Sequence, residues 1–383
     1  MKKNCLIILG PGRSGTSALA GVLNLLGVFM GKQILKGDQY NRKGYYENEK
    51  IISLNKKLFL LIKSSIYDLS PPDKKIFYKL VSEEKLNEQA YSILENDYSQ
   101  FSIWGIKSPG MLEFFFFWEN ILKKQNIEIK ILIPYRNPLE VAWSYFYGNR
   151  TSLKKWMLLW AKNILYAEYF SRKYKRVFVH YDKLLRNPKK VLKIIQDRLE
   201  ILFPQNIESK IKEINKFLEE ELKHFNFSLS DLELNVPKFI KELALVLESL
   251  ALQKIDDSEE VRRIFDYWRD VYIKEYHNWE TEKKFLRNIF KTYRKLIIYG
   301  SGAIGEAAFE KLTLLGFEIE FFIDQYTDKK ELFGEPIYKI HNAPRKDLPV
   351  LIAVSYDNDM IEKDLRKAGF EKIIRYDKFF NLI

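Results

Sequence analysis

Three short apolar runs in the first half of the chain lack strict alternation of polar and apolar residues. They are residues 5–9, 129–133 and 176–179. Runs of this length and composition are typical of parallel strands that are covered on both faces. After the first run, apolar residues at 19, 22, 23 and 26 recur with helical spacing from Thr16 onwards. The pattern therefore predicts an α/β fold in which a parallel sheet is flanked by helices.

A second α/β pattern begins near Lys295, after a helical and charged stretch at residues 188–291. It comprises strands at 296–299, 317–323 and 350–354, a glycine loop at 300–305, and helices at 306–315 and 361–368. At about 90 residues this part is short for a complete dinucleotide-binding domain, so we expect a small, half-sized Rossmann-like α/β module. The predicted domains are residues 1–230, a helical connector at 231–292, and the C-terminal module at 293–383.

The formal net charge of +12 is confined to one part of the chain. Residues 291–383 contain 15 Lys and Arg and 15 Asp and Glu, so the whole positive excess lies on residues 1–290. A basic surface there attracts anionic ligands such as nucleotides, acidic glycans or nucleic acid. A lysine-rich solvated surface is the alternative explanation of the same charge.

The start of the chain and its single cysteine bear on the cellular compartment. Cys5 cannot form an internal disulfide, which fits a reducing compartment. The apolar run after Met1 resembles a short signal peptide, but it ends at a Gly-Pro-Gly turn without a small-residue cleavage site. The aromatic stretch 114–118 is too short to span a bilayer. We therefore expect a cytoplasmic protein without a membrane span.

The first glycine loop, residues 10–17, lies between the first predicted strand and helix and reads Gly-Pro-Gly-Arg-Ser-Gly-Thr-Ser. Backbone N–H groups of such a loop, with the positive end of the helix dipole, form a cradle for an anion. The loop nearly matches a Walker A motif, but Thr16 stands where that motif requires lysine. After the strand at 129–133, Arg136 follows a Pro-Tyr pair where a magnesium-binding aspartate would be expected. These features argue against a magnesium-dependent nucleotide hydrolase.

A second anion-binding pattern consists of Arg136-Asn137-Pro138 and, eight residues after the arginine, Ser144. Ser144 lies about two helical turns beyond the strand end, so both side chains can converge on one phosphate. The two motifs together resemble the sulfotransferase family that uses 3′-phosphoadenosine-5′-phosphosulfate (PAPS), especially its bacterial and carbohydrate branch. Weaker family features follow in the expected order at residues 41–48, 104–109, 180–185 and 217–224. The resemblance covers about residues 5–230 and implies the P-loop-type sulfotransferase fold.

For donor binding, the resemblance implies that PAPS is held without a metal ion. Backbone amides and side chains of the glycine loop would hold the 5′-phosphate, through Gly12, Arg13, Ser14, Gly15, Thr16 and Ser17. Arg136 and Ser144 would bind the 3′-phosphate. The alternative interpretation of the loop is an ordinary solvated turn.

For catalysis, the resemblance implies three residues. Arg13 would lie near the bridging oxygen, Lys107 would reach the sulfonate and the leaving oxygen, and Glu47 would be the general base. Lys107 could instead be a surface lysine before a proline turn, and Glu47 could be an ordinary solvated glutamate. Glu49 competes with Glu47 for the role of base.

Three further polar residues have weaker assignments. His180 lies on a predicted strand, which favours a role in the core or in support of the site over catalysis. His224 is a second histidine at a position where the family sometimes uses one, so it stays a candidate. Arg150 could add a phosphate contact, although a surface arginine is the preferred interpretation.

The C-terminal glycine loop has the spacing Gly300, Gly302, Gly305 after a strand, and Asp324 follows about twenty residues later. This fits the dinucleotide-binding fingerprint. The surrounding segment resembles small Rossmann-like modules attached to enzymes of bacterial surface-polysaccharide synthesis. Some of those modules bind a nucleotide or nucleotide sugar, and others serve packing or assembly. Both interpretations stay open for this loop.

These inferences predict a sulfotransferase that moves a sulfuryl group from PAPS to a hydroxyl or amine of a glycan or small-molecule acceptor by in-line displacement. A bacterial surface glycan or its precursor is the preferred acceptor because of the C-terminal module. The alternatives are a magnesium-dependent P-loop kinase or nucleotide hydrolase, a non-catalytic nucleotide-binding assembly protein and, more distantly, a nicotinamide oxidoreductase. No specific nucleic-acid partner is expected, and assembly into an oligomer is left open.

Overall fold

A computed structural model of the chain divides into two compact units, Met1–Lys274 and Glu275–Ile383. It describes residues 3–38, 41–149, 153–219, 223, 225–228, 231, 236–314, 316–354 and 358–375. Each unit contains a largely parallel sheet with helices packed against it, so the predicted α/β class is confirmed. Among the described residues, no helix is both long and apolar enough to cross a bilayer.

The first unit is built on a sheet of four parallel strands in the order β2-β1-β3-β4. These strands are β1 (Asn4–Ile8), β2 (Ile103–Ile106), β3 (Glu128–Tyr135) and β4 (Lys175–His180). The three strands predicted from the apolar runs are confirmed. The sequence pattern did not predict β2, because four residues interrupted by a glycine give too few positions for a periodic signal.

Twelve helices of the described chain begin in the first unit. They are α1 (Thr16–Leu25), α2 (Glu49–Ile62), α3 (Lys74–Val81), α4 (Glu84–Tyr98), α5 (Phe115–Lys124), α6 (Pro138–Asn149), α7 (Leu153–Ser171), α8 (Tyr181–Arg186), α9 (Pro188–Leu199), α10 (Ile207–Phe217), α11 (Lys238–Ala251) and α12 (Glu259–Thr292). Leu6, Ile8 and Leu132 pack on one face of the sheet with α1, α9 and α10. Ile7 and Ile131 alternate to the other face and are also buried, and α5 and α7 contact β3.

The order of the first sheet determines where a ligand can bind. The chain runs from β1 to β2 on one side, and the next connection crosses to β3 on the other side of β1. In open parallel sheets this arrangement opens a crevice beyond the carboxyl ends of the strands. The glycine loop follows β1, Lys107 follows β2, and Arg136 follows β3. The candidate residues therefore gather at one edge of the sheet.

The second unit contains six strands in the order β10-β9-β5-β6-β8-β7, all parallel except β7. The elements are β5 (Lys295–Tyr299), α13 (Ala303–Leu314), β6 (Glu318–Ile323), β7 (Glu331–Leu332), β8 (Glu335–Tyr338), β9 (Val350–Ile352), α14 (Asn358–Lys367) and β10 (Ile373–Arg375). One face of the sheet packs on α13 and the other on α14. The strands predicted at 296–299, 317–323 and 350–354 are confirmed, whereas β7, β8 and β10 were not predicted.

Candidate active site at the carboxyl edge of the first sheet

The first glycine loop is packed tightly between two tyrosines. A Cβ atom on Gly12 would lie 2.2 Å from the hydroxyl oxygen of Tyr145 on α6. A Cβ atom on Gly15 would lie 2.2 Å from the Tyr181 ring on α8, and Gly15 also has φ +84°. Gly15 therefore requires glycine for both size and backbone conformation, whereas Gly12 is restricted by the space beside the Tyr145 hydroxyl. The loop leads into α1 without a side-chain cap at Gly15, so the first N–H groups of the helix are left for an anion.

The two predicted phosphate motifs meet at Arg13. Its guanidinium Nε donates a hydrogen bond of 2.8 Å to the Ser144 hydroxyl on α6. Its backbone carbonyl accepts a hydrogen bond of 3.0 Å from Nη1 of Arg136. The Arg13 side chain is exposed, whereas Arg136 is only 9% exposed. Arg13 of the glycine loop thus contacts both Arg136 and the Ser144 hydroxyl.

Arg136 is fixed from several directions. Its Nε donates to a carboxylate oxygen of Glu140, one helical turn later, at 2.7 Å. Its guanidinium carbon lies 5.0 Å from the centre of the Tyr181 ring, in cation–π geometry. Glu140 in turn contacts the Lys223 ammonium at 2.9 Å. Sequence reasoning missed Glu140 and Lys223, although the i, i+4 spacing of Arg136 and Glu140 is a recognisable signal.

Lys107 and Glu47 form a buried ion pair beside the glycine loop. Lys107 is 8% exposed and Glu47 is 3% exposed, so neither is a solvated surface residue. The Lys107 ammonium contacts the Glu47 carboxylate directly. It also donates to the Ser17 hydroxyl at 3.1 Å and to the Tyr45 carbonyl at 3.2 Å. The pair is therefore connected to the first glycine loop through Ser17.

Burial shifts the pKa of both members of this pair. It raises the pKa of Glu47, and the nearby ammonium only partly opposes that rise. Burial also lowers the pKa of Lys107, against the opposing effect of the Glu47 carboxylate. A carboxylate with a raised pKa is a better proton acceptor than an exposed one, because general bases work best near the operating pH.

The position of Glu47 is set by the next residue, Asn48. The Asn48 side-chain oxygen caps α2 by accepting from the backbone N–H groups of Lys50 and Ile51, at 2.9 and 3.3 Å. Its amide nitrogen donates to the Asp97 carboxylate at 2.8 Å and to the Tyr98 hydroxyl at 3.1 Å. These contacts tie the start of α2 to the end of α4 and hold Glu47 at the crevice.

The remaining candidates from the sequence lie elsewhere. Glu49 is exposed on the first turn of α2. His180 is the last residue of β4, half-buried near the Tyr135 ring, and burial lowers its pKa to about 4. Its imidazole is therefore neutral at physiological pH. His224 and Arg150 lie outside the residues that the structure describes.

In the second unit, the glycine loop between β5 and α13 is a tight turn. Gly300 has φ +105°, and a Cβ atom on Gly305 would lie 2.0 Å from the Gly300 carbonyl oxygen. These two positions require glycine for the close approach of the helix to the end of the strand. Gly302 differs, because no heavy atom lies within 4 Å of the position of a Cβ atom there. The loop is thus open at its middle glycine.

The carboxylate of Asp324 is bonded to the second glycine loop and to its own turn. One oxygen accepts from the Ser301 backbone N–H at 2.9 Å and from the Ser301 hydroxyl at 2.7 Å. The other accepts from the N–H groups of Tyr326 and Thr327 at 2.9 and 3.1 Å. Burial opposes ionisation, but these hydrogen bonds outweigh it and lower the pKa of Asp324. This aspartate therefore stabilises the loop itself.

Comparison with known proteins gives structural likenesses only. No family model matches the chain, and no curated protein matches its sequence. The sulfotransferase domain from the curacin biosynthetic pathway is similar, with 16% identity, a TM-score of 0.32, and coverage of 70% of this chain and 98% of that domain. The sulfotransferase domain of the Synechococcus PCC 7002 olefin synthase is similar with 18% identity and a TM-score of 0.30, over 70% of this chain and 96% of that domain. Sulfotransferase STF1 from Mycobacterium tuberculosis is similar with 11% identity and a TM-score of 0.31, over 64% of this chain and 77% of that chain.

Proposed function

We propose that the first unit is a sulfotransferase that transfers a sulfuryl group from PAPS to a hydroxyl or amine of an acceptor. The observation that carries this proposal is the arrangement around Ser17. A buried acid–base pair, Lys107 and Glu47, contacts the same loop whose amides form the anion cradle. This arrangement fits a donor that carries two phosphates. Its transferable group would lie between the loop amides and the base, Glu47.

The donor is held at both of its phosphates. The 5′-phosphate lies against the N–H groups of residues 14–17 at the start of α1, and the 3′-phosphate lies near Arg136 and Ser144. Arg13, which already contacts both of these residues, lies between the two phosphates. Since arginine pairs with phosphate oxygens through a planar fork of donors, two arginines give the site its selectivity for a bisphosphate.

Transfer proceeds by in-line displacement. The acceptor oxygen or nitrogen attacks sulfur and forms the new bond, while the bond from sulfur to the bridging phosphate oxygen breaks. The Lys107 ammonium stabilises the negative charge that develops on the leaving oxygen. The Glu47 carboxylate takes the proton from the acceptor. The products are the sulfated acceptor and adenosine 3′,5′-bisphosphate.

The acceptor is a glycan or glycan precursor. The positive excess on residues 1–290 supports an anionic acceptor of this kind, since basic surfaces attract acidic glycans. The second unit either binds a nucleotide or nucleotide sugar or serves packing. The open space at Gly302 supports ligand access to its loop, whereas the bonding of Asp324 within the loop supports a structural turn. The domain boundaries that the sequence predicts, at residues 230 and 292, are part of the same proposal.

Calorimetric titration with adenosine 3′,5′-bisphosphate in the absence of magnesium tests the donor assignment. Adenosine 5′-monophosphate and ATP serve as controls. Tight binding that depends on the 3′-phosphate is the expected result. A preference for ATP with magnesium would overturn the proposal in favour of a P-loop kinase or nucleotide hydrolase.

A further inference from the structure

Glu140 is a buried carboxylate in the first turn of α6, with only 1% of its surface exposed. It accepts hydrogen bonds from Nε of Arg136 at 2.7 Å and from the backbone N–H of Phe227 at 3.0 Å. It also forms an ion pair with the Lys223 ammonium at 2.9 Å. Such a buried charge is stable only when its hydrogen bonds are complete. Glu140 thus joins the start of α6 to residues 223 and 227.

A carboxylate beside a phosphate site requires explanation, because it repels the ligand. Two cations, Arg136 and Lys223, contact Glu140, so the local charge stays positive. Lys223 also contacts Asp182, whose side chain is 30% exposed and therefore better screened by solvent. Glu140 adds no attraction for an anion, so its contribution must lie in the geometry that it imposes on its neighbours.

That geometry is clearest for Arg136. Nε of Arg136 donates a hydrogen bond to Glu140, and Nη1 donates one to the Arg13 carbonyl. The Tyr181 ring covers one face of the guanidinium. The Nη2 amino group has no hydrogen-bond partner among the described residues. Because guanidinium donors lie in one rigid plane, fixing two of the nitrogens fixes the direction of the third. Arg136 is thus oriented before any ligand arrives.

The same carboxylate positions a part of the chain that is 87 residues away in sequence. It receives both the Lys223 ammonium and the Phe227 N–H. Asn137 supports this attachment, since its side-chain amide donates to the carbonyls of Phe227 and Ser228 at 3.1 Å each. The segment around Lys223 is therefore held against the start of α6, beside Arg136.

We propose that Glu140 is a positioning residue that gives the donor site its preference for a 3′-phosphorylated nucleotide. It orients the guanidinium of Arg136 and holds Lys223 next to it, so that the two cations face one phosphate. This inference rests on the proposed function, because it assigns the phosphate at Arg136 to the donor. Glu140 acts through its neighbours and does not touch the reacting atoms.

The test is the ratio of two dissociation constants, for adenosine 5′-monophosphate and for adenosine 3′,5′-bisphosphate, measured by calorimetry on the full chain. The Glu140→Gln variant keeps the shape of the side chain and removes its charge. We expect the ratio to fall by about tenfold or more, since hydrogen bonds to charged groups are lost. The affinity for the monophosphate should stay within about twofold of the unchanged protein.

Glu168→Gln is the matched control. Glu168 is also fully buried and also bonded to two arginines, Arg172 and Arg176, but Arg176 lies at the start of β4, away from the carboxyl edge. This variant should lose thermal stability without a change in the ratio. An equal fall of the ratio in both variants would overturn the inference, because it would reflect general destabilisation.

Two other outcomes separate this inference from the proposed function. If the unchanged protein discriminates for the 3′-phosphate and Glu140→Gln does so equally, the role of Glu140 is wrong and the donor assignment stands. If the unchanged protein does not discriminate, both are wrong. Should Glu140→Gln fail to fold, Lys223→Met removes one cation from the same carboxylate. An unchanged ratio in that variant would also contradict the inference.

Discussion

The two glycine loops of the molecule share the order strand, glycine loop, helix, yet their glycines are required for different reasons. In the first loop, Gly12 and Gly15 are crowded by tyrosines from other helices, α6 and α8. In the second loop, Gly305 is crowded by the carbonyl of Gly300, and Gly300 by the carbonyl of Ala353 and the side chain of Val354 after β9. The first loop is therefore shaped by aromatic side chains of two helices, and the second largely by backbone carbonyls.

The polar groups around the loops differ in the same way. In the first unit, Arg13 is exposed and Nη2 of Arg136 has no hydrogen-bond partner among the described residues, so donors remain for a ligand. In the second unit, Asp324 directs both carboxylate oxygens to its own loop and turn. A glycine pattern alone thus predicts a turn. Whether that turn becomes a binding site depends on whether charged side chains of neighbouring elements stay available to a ligand or bond to the loop itself.

The largest difference between the loops should come from Gly15→Ala and Gly302→Ala. The first change adds a methyl group 2.2 Å from the Tyr181 ring, at a positive φ. Backbone strain and overpacking together cost about 2–6 kcal/mol, so binding of adenosine 3′,5′-bisphosphate should be lost. The second change meets open space and should alter stability by less than about 1 kcal/mol. Calorimetry and thermal unfolding measure both effects. Tight binding by Gly15→Ala would show that the loop does not hold the donor.

Turnover sharpens the comparison further, because only the first loop has an acid–base pair beside it. Glu47→Gln should lower kcat by about 10²–10⁴-fold, the usual contribution of a general base, while donor binding is kept. Glu49→Gln, two residues away and exposed, should change kcat little. Sulfated product is measured with saturating donor. Unchanged turnover in Glu47→Gln would move the base to another group.

Arg136→Ala tests whether the cations of the first loop are used by a phosphate. We expect the bisphosphate to bind about 10–100-fold more weakly, since charged hydrogen bonds are lost, and the monophosphate to bind almost as before. Arg263→Ala, at an exposed position of α12, is the control. Equal bisphosphate affinity in both variants would contradict the assignment of the 3′-phosphate.

The smallest effect concerns pH. The base acts when deprotonated, so kcat/KM should rise with pH through the pKa of Glu47, which burial raises above the usual carboxyl value. The Lys107 ammonium partly offsets this increase in the pKa of Glu47. Its removal in Lys107→Met should therefore raise the pKa of Glu47 further and move the increase in kcat/KM to higher pH. A pH profile of the residual activity measures the shift. A profile that moves to lower pH would mean that another group titrates.

The sequence predicted the parts of the site that depend on local spacing. The glycine loop at 10–17 and the eight-residue interval from Arg136 to Ser144 are such features, because one turn or one helix fixes their geometry. The contact of Lys107 with Glu47 joins residues 60 apart. The family resemblance suggested a catalytic role for each residue, but it did not predict their contact. Lys223 could not be placed at all, since no local pattern links it to the start of α6.

The buried ammonium of Lys107 has a consequence for inhibitor chemistry. Because burial lowers its pKa, a larger fraction of this amine is unprotonated at neutral pH than for an exposed lysine. Unprotonated amines attack carbonyl electrophiles. If the glycine loop binds an anion as proposed, an aldehyde attached to that anion would be held beside this amine, where formation of an imine with loss of water is expected. Lys107, which contacts Ser17, is therefore the expected point of covalent attachment for such a reagent.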